Sequence, residues 1–242
     1  MKKDLLKFRK EIDLIDKEII DLISRRGTLA KQVGLIKDDG IIYRPEREAQ
    51  ILAALKKYNK GPLKSESIVN IFKAIISNCR ALEKKLSIAF LGPLGTFSEE
   101  ATRKHFGDNI VTLPTDSIDE IFSHVQSDIS HYGVVPVENS TEGAVSRTLD
   151  LLLLRELNIC GEISLPVHHC FISKSNVNRG INKIYAHGQS IAQCHDWLTN
   201  NQPNAERIAV SSNAEGAKMA SKDPKAAAIA SSQAAELYKL NI

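Results

Sequence analysis

Three cations in the N-terminal segment, Arg9, Arg26 and Lys37, carry the first chemistry that spacing can decide. On an α-helix Arg26 and Lys37, eleven residues apart, are separated by about three turns and roughly 20° of rotation. They project from nearly one face and could clamp a compact dianion between them. Arg9 lies seventeen residues before Arg26, roughly 25 Å along the axis and far around it, out of reach of the same small molecule. If Arg9 is a ligand, its site lies in another subunit.

The element that must position these cations is a long helix. Leu5, Phe8, Ile12, Ile15, Ile19, Leu22, Arg26, Leu29, Val33 and Ile36 recur alternately three and four residues apart, a heptad stripe that one chain cannot easily cover and that a two-fold partner would. A plain coiled-coil helix with solvated Arg9 and Lys37 fits the same pattern. Arg26 inside the stripe favours the anion site, because burying a guanidinium is costly unless an anion meets it. Asp38-Asp39-Gly40 breaks the helix, Arg44 to Tyr58 reads as a second helix with Pro45 in its first turn, and Ser65 to Lys84 as a third behind a Ser65 or Ser67 cap.

From Ser87 the pattern changes to short apolar runs, including Ile88–Leu91, Tyr132–Val137 and Ile208–Val210, alternating with amphipathic stretches. The expected division is therefore an all-α three-helix domain over residues 1–85 and an α/β domain over 86–242. Of the 242 residues 25% are charged with a net charge of +3, and 5% are aromatic, which points to neither a nucleic-acid nor a membrane partner. The start has neither the unbroken apolar core of a signal peptide nor a membrane span, so the cytoplasm is the expected location. Cys79, Cys160, Cys170 and Cys194 form no Cys-x-x-Cys pair and read as reduced and non-ligating. No metal site is expected at His168, His169 or His187.

Two segments of the α/β half place polar groups where ligands bind. Phe90 to Ala101 is a strand, a Gly-rich turn and a helix start, with glycine spacing wrong for a dinucleotide and no Gly-Lys-Ser for a phosphate loop, so a small carboxylate suits it better. Gly133 to Gly143 reads as a buried strand delivering Glu138, Asn139, Ser140, Thr141 and Glu142 at its end, followed by a helix from Val145 to Leu154.

Leu6–Asp13, Leu22–Arg26, Val33–Lys37 and Tyr43–Glu48 together resemble the all-helical chorismate mutase family across residues 1–84. The resemblance implies an intertwined homodimer built on the long N-terminal helix. Its site would be lined by Arg26, Lys37, Arg44, Arg47, Glu48, Cys79 and Glu83, with Arg9 crossing from the partner. The implied reaction is the pericyclic rearrangement of chorismate to prephenate, which needs no cofactor or metal. Arginine forks suit the two substrate carboxylates, Lys37 the ether oxygen where negative charge develops, and Glu83 the same oxygen if its carboxyl holds a proton. Arg44 departs from a version of the pattern with an acidic residue, and a solvated helix-end arginine suits it as well.

Gly133–Gly143, with Thr148–Leu152, His187–Gln189, Ala192–Cys194 and Ala227–Ala230, resembles the prephenate dehydratase family. That implies two lobes like those of type II periplasmic binding proteins, with prephenate between them, bound by Asn139, Ser140, Thr141, Gln189 and Gln193. Gly188 replaces a proline common before that glutamine. The family carries a Thr-Arg-Phe motif and a regulatory domain further on, and these 242 residues include neither. An active mutase and an inactive dehydratase are expected, or a small-carboxylate binding module in place of the second enzyme.

Overall fold

The computed structural model describes residues 2–36, 43–140, 143–175 and 180–242. It divides into two units, Met1–Leu86 with Phe106–Val111, and Ser87–His105 with Thr112–Ile242.

The first unit is three helices together with the Phe106–Val111 segment. Helix α1, Lys2–Ile36, runs 35 residues without interruption, about 52 Å at the helical rise. The heptad residues of its first two thirds, Leu5, Phe8, Ile12, Ile15, Ile19 and Leu22, remain 46–64% exposed. What α1 turns toward the end of α3 is a small-residue face. An added Cβ at Gly27 would come 3.0 Å from Leu82 Cδ1, and one at Gly34 would come 2.8 Å from Glu83 Cγ. Helix α2, Pro45–Tyr58, starts on a proline at its first position, where the missing N–H costs nothing, and carries Lys56 and Lys57 against its C-terminal dipole.

Helix α3, Ser65–Ala81, begins one residue earlier than a serine cap requires. Lys64 is its N-cap and no side chain caps it, so the expectation of Ser65 or Ser67 as cap is corrected. The helix also stops short of Lys84, with Leu82 and Glu83 closing a turn through Glu83 N–H to the Arg80 carbonyl at 2.9 Å.

Among the described residues the second unit holds a three-stranded sheet, a two-stranded one and a four-stranded one, as expected of an α/β domain with two lobes. The first lobe contains β1 (Ser87–Leu91), α4 (Phe97–Phe106), β2 (Val111–Thr115), α5 (Ile118–Gln126), β3 (Tyr132–Val134), the short pair β4 (Glu138–Asn139) and β5 (Gly143–Ala144), and α6 (Ser146–Leu154). Its sheet runs β2-β1-β3, with β1 and β3 parallel and Ile88, Ala89 and Phe90 fully buried at the centre. The expected buried strand Tyr132–Val137 is shorter and half-exposed: β3 ends at Val134, because it is an outer strand and Pro136 lacks the N–H that would extend the ladder.

The second lobe contains β6 (Cys170–Ser173), β7 (Lys183–His187), α7 (Gly188–Gln193), α8 (His195–Asn201), β8 (Glu206–Val210), α9 (Asn213–Ala220), β9 (Ala226–Ala230) and α10 (Ser232–Leu237). The sheet order is β6-β9-β7-β8, with β6 antiparallel to β9 and the rest parallel. Strand β9 is buried at every residue, which explains its unbroken apolar run. The buried Ser231 hydroxyl donates to the Gly95 carbonyl at 2.9 Å, tying the start of α10 to the loop after β1.

Candidate active site

In the helical unit the three helices leave a cavity of about 310 Å³ lined from α1 by Arg26, Ala30 and Val33, from the start and first turns of α2 by Arg44, Arg47, Glu48 and Ile51, from α3 by Ile76, Cys79 and Arg80, and from the turn beyond it by Glu83. Arg26, Arg44, Arg47, Glu48, Cys79 and Glu83, singled out in the sequence, therefore face one space. Lys37 lies outside the described residues. Arg9 is exposed on α1, seventeen residues before Arg26 and not in the lining.

Local structure explains each placement. Arg44 is the N-cap of α2, and its carbonyl accepts the Arg47 and Glu48 N–H groups at 3.1 Å each. This winds Arg47 and Glu48 onto the first turn, and Arg44 itself is half-buried, in contrast to a solvated helix-end arginine. Gly27 and Gly34 let α1 approach closely enough for Cys79 and Glu83 to border the same space as Arg26.

Sequence reasoning passed over Arg80. It is 7% exposed, its Nη1 donates to Glu48 Oε1 at 2.5 Å, its Nη2 donates to the Phe106 carbonyl at 2.5 Å, and its guanidinium lies 4.8 Å from the Tyr43 ring centroid. The lining then presents four guanidiniums and two carboxylates, a surplus of positive charge suited to a dianion.

In the α/β unit, the antiparallel pair of β4 and β5 sets Asn139 opposite Gly143, whose φ of +80° lies in the left-handed region that favours glycine. Asn139 is half-buried and Ser140 exposed, while Thr141 lies outside the described residues. Thr148, fully buried, donates to the Pro136 carbonyl at 2.7 Å and fastens α6 behind this pair.

Gln189 and Gln193 are four residues apart on α7 in the second lobe. That helix is held at its start by Asn213, whose Oδ1 accepts the His187 N–H at 2.8 Å and whose Nδ2 donates to Ser190 Oγ at 2.8 Å. Gln193 Oε1 lies 2.7 Å from His169 Nε2, an arrangement that requires the imidazole proton on Nε2. His169 Nδ1 and Gln189 Nε2 are buried with no hydrogen-bond partner among the described residues. His169 also meets Phe97 edge-on with centroids 5.7 Å apart. The sequence marked it only as an ordinary histidine.

In the Gly-rich turn, where an anion is expected, one N–H group is already taken. The Gly95 N–H donates to Glu99 Oε2 at 2.7 Å, and Arg103 holds Glu99 Oε1 through two bonds of 2.9 and 2.8 Å. A carboxylate of this chain already fills that role. All four cysteines are free, and burial pushes the Cys170 and Cys194 thiols up. Among the described residues no three His, Cys, Asp or Glu side chains are placed to hold a metal, and no helix is long and apolar enough to cross a membrane.

Comparison with known proteins matches both halves. Residues 8–84 match the family described as chorismate mutase type II and residues 88–242 match prephenate dehydratase. The bifunctional chorismate mutase/prephenate dehydratase of Neisseria gonorrhoeae is 47% identical over 241 residues, covering 98% of this chain and 67% of its own length. That of Pseudomonas aeruginosa is 44% identical over 248 residues, covering 99% of this chain and 68% of its own length. A crystal structure of prephenate dehydratase from Arthrobacter aurescens in complex with L-Phe superimposes with a TM-score of 0.59 at 32% identity, covering 64% of this chain and 54% of that one. The chain thus spans about two thirds of the length of these curated relatives, and it belongs to the bifunctional chorismate mutase/prephenate dehydratase family.

Proposed function

We propose that the helical unit converts chorismate to prephenate and that the α/β unit takes prephenate as its ligand, a pair of steps in phenylalanine biosynthesis. The observation that carries the reading is the cavity in which Arg26, Arg44, Arg47 and Arg80 surround a space with Glu48 and Glu83 on its walls.

Chorismate is a dianion whose rearrangement needs its folded conformer held and the developing charge on its ether oxygen met by preorganised donors. Arg26 and, from a second copy, Arg9 are assigned to the two carboxylates, with Arg47 as support and Arg44 adding positive charge at the start of α2. Arg9 is assigned to the cavity of a second copy, because its distance along α1 bars it from its own. Lys37 and Glu83 are assigned to the ether oxygen, and Cys79 to the wall beside them. The exposed apolar stripe of α1 supports a homodimer formed through that helix. The free thiols suit a cytoplasmic location.

In the α/β unit, Asn139, Ser140, Thr141, Gln189 and Gln193 are assigned to prephenate. The buried and unpartnered Gln189 Nε2 supports this, since a ligand oxygen would satisfy it.

Loss of chorismate absorbance on adding the 242-residue chain tests the first assignment, with R26A expected to lose most of the rate; an R26A variant as active as the parent refutes it. Calorimetric titration with prephenate tests the second, and equal heats from the parent and N139A defeat it. Phenylpyruvate formation above the acid-catalysed background decides dehydratase turnover by these residues.

A further inference from the structure

We propose that Arg80 is a positioning residue of the mutase site, fixing and neutralising the Glu48 carboxylate so that a dianionic substrate meets a rigid acceptor in place of a mobile negative charge. The inference rests on the assignment of the helical cavity to chorismate and adds a residue that acts on it from behind.

Arg80 differs from the other cations of the lining in burial. Arg47 is exposed and Arg26 and Arg44 are half-buried, whereas Arg80 is 7% exposed. Its two terminal nitrogens are divided between Glu48 Oε1 and the Phe106 carbonyl, each at 2.5 Å, and Tyr43 lies against its guanidinium. A guanidinium grips a carboxylate through two parallel N–H groups. With that edge already divided, Arg80 reaches the substrate through Glu48.

The supports of Arg80 are themselves fixed. Tyr43 is 5% exposed and packs on Phe106 with centroids 5.2 Å apart, and Ser77 Oγ donates to the same Phe106 carbonyl at 3.0 Å. The guanidinium is therefore braced by the Phe106 carbonyl and the Tyr43 ring while it bonds Glu48 Oε1. Glu48 Oε2 is left to accept from a hydroxyl of the substrate. Without Arg80, Glu48 would lose its ion-pair partner, stand as a negative charge beside a dianion, and be free to change rotamer.

The test is steady-state turnover of chorismate by the full 242-residue chain as parent, R80M, R80K, E48Q and the R80M/E48Q pair, with thermal melting of each. R80M is expected to raise KM about tenfold with a smaller change in kcat. R80K is expected to recover part of that loss, because it keeps the charge without the divided fork. In the E48Q background R80M should change KM by less than about twofold, since a neutral amide needs no counter-charge. An equal rise in KM in both backgrounds, or no rise in either, overturns the proposal. E48Q kinetics matching the parent defeat the reading of Glu48 as a site residue and this inference with it; an impaired E48Q beside an unimpaired R80M defeats this inference alone. Should R80M fail to fold, R80Q keeps a donor for the Phe106 carbonyl and carries the same comparison.

Discussion

Mixing two inactive variants should restore activity if the mutase site is shared between chains. On α1 the seventeen residues from Arg9 to Arg26 correspond to about 25 Å. The two extended arginine side chains cannot close that gap around a molecule fitting a cavity of about 310 Å³. If Arg9 serves the site, each cavity would draw Arg26 from its own chain and Arg9 from the other. Removing either guanidinium from a desolvated charge pair costs about 3 kcal/mol or more, roughly a hundredfold in rate or beyond, so R9A and R26A alone should be nearly inactive. In a heterodimer of the two, one cavity loses both arginines and the other keeps both. Statistical exchange of equal amounts makes about half of all dimers heterodimers with one intact cavity of two, so the mixture should regain about a quarter of the parent rate. The assay is chorismate disappearance after denaturing the variants together and refolding them, against each refolded alone. A mixture no faster than its components refutes the shared site, and an R9A variant with parental activity refutes any role for Arg9.

Several further outcomes can be checked on the same protein. G34A should lower mutase kcat while leaving α1 folded by circular dichroism, because the new Cβ would stand 2.8 Å from Glu83 Cγ and displace that side chain. E83A should lower mutase kcat, since Glu83 lines the cavity, and an E83A variant with parental kcat would reject a role for Glu83 there. T148V should lower stability by about 1–2 kcal/mol in a urea titration, since it leaves the Pro136 carbonyl without its buried donor. With a short alkylating reagent at neutral pH, exposed Cys160 should react well before Cys170 and Cys194, whose thiols burial pushes up and away from the reactive thiolate. Raising the pH past the ordinary thiol range should narrow the difference.

Much of this architecture was legible before the structure because it follows from periodicity and punctuation. The heptad stripe announced α1, Pro45 announced the start of α2, and the apolar runs Ile88–Leu91 and Ile208–Val210 fall in strands β1 and β8. What periodicity could not show was which face of α1 its own chain uses. The stripe dominates the sequence, yet the close approaches to Leu82 and Glu83 are made at Gly27 and Gly34. Small residues spaced seven apart give almost no hydrophobic signal, and their value lies in how near another backbone can come. Strand β3 was overextended for a related reason: Val134-Val135-Pro136-Val137 looks apolar throughout, but the ladder depends on donors, and Pro136 has none.

Arg80 shows where reading residues singly stops. At the end of α3 it has the look of a last-turn arginine answering the helix dipole, a role that solvated arginines fill in many helices. Its burial follows from partners distant in sequence: Glu48 32 residues away, the Phe106 carbonyl 26 residues away, and the ring of Tyr43. None of the three is predictable from the local pattern, because each becomes relevant only once α2 and α3 are packed and Phe106 lies against them. The same dependence bears on Arg26, whose place in the stripe drew notice because a lone cation among aliphatics needs an anion. Arg80 found its anion within the chain. Arg26 is half-buried at a cavity with a surplus of guanidiniums, and that contrast is the physical reason for assigning Arg26 to the substrate and Arg80 to Glu48.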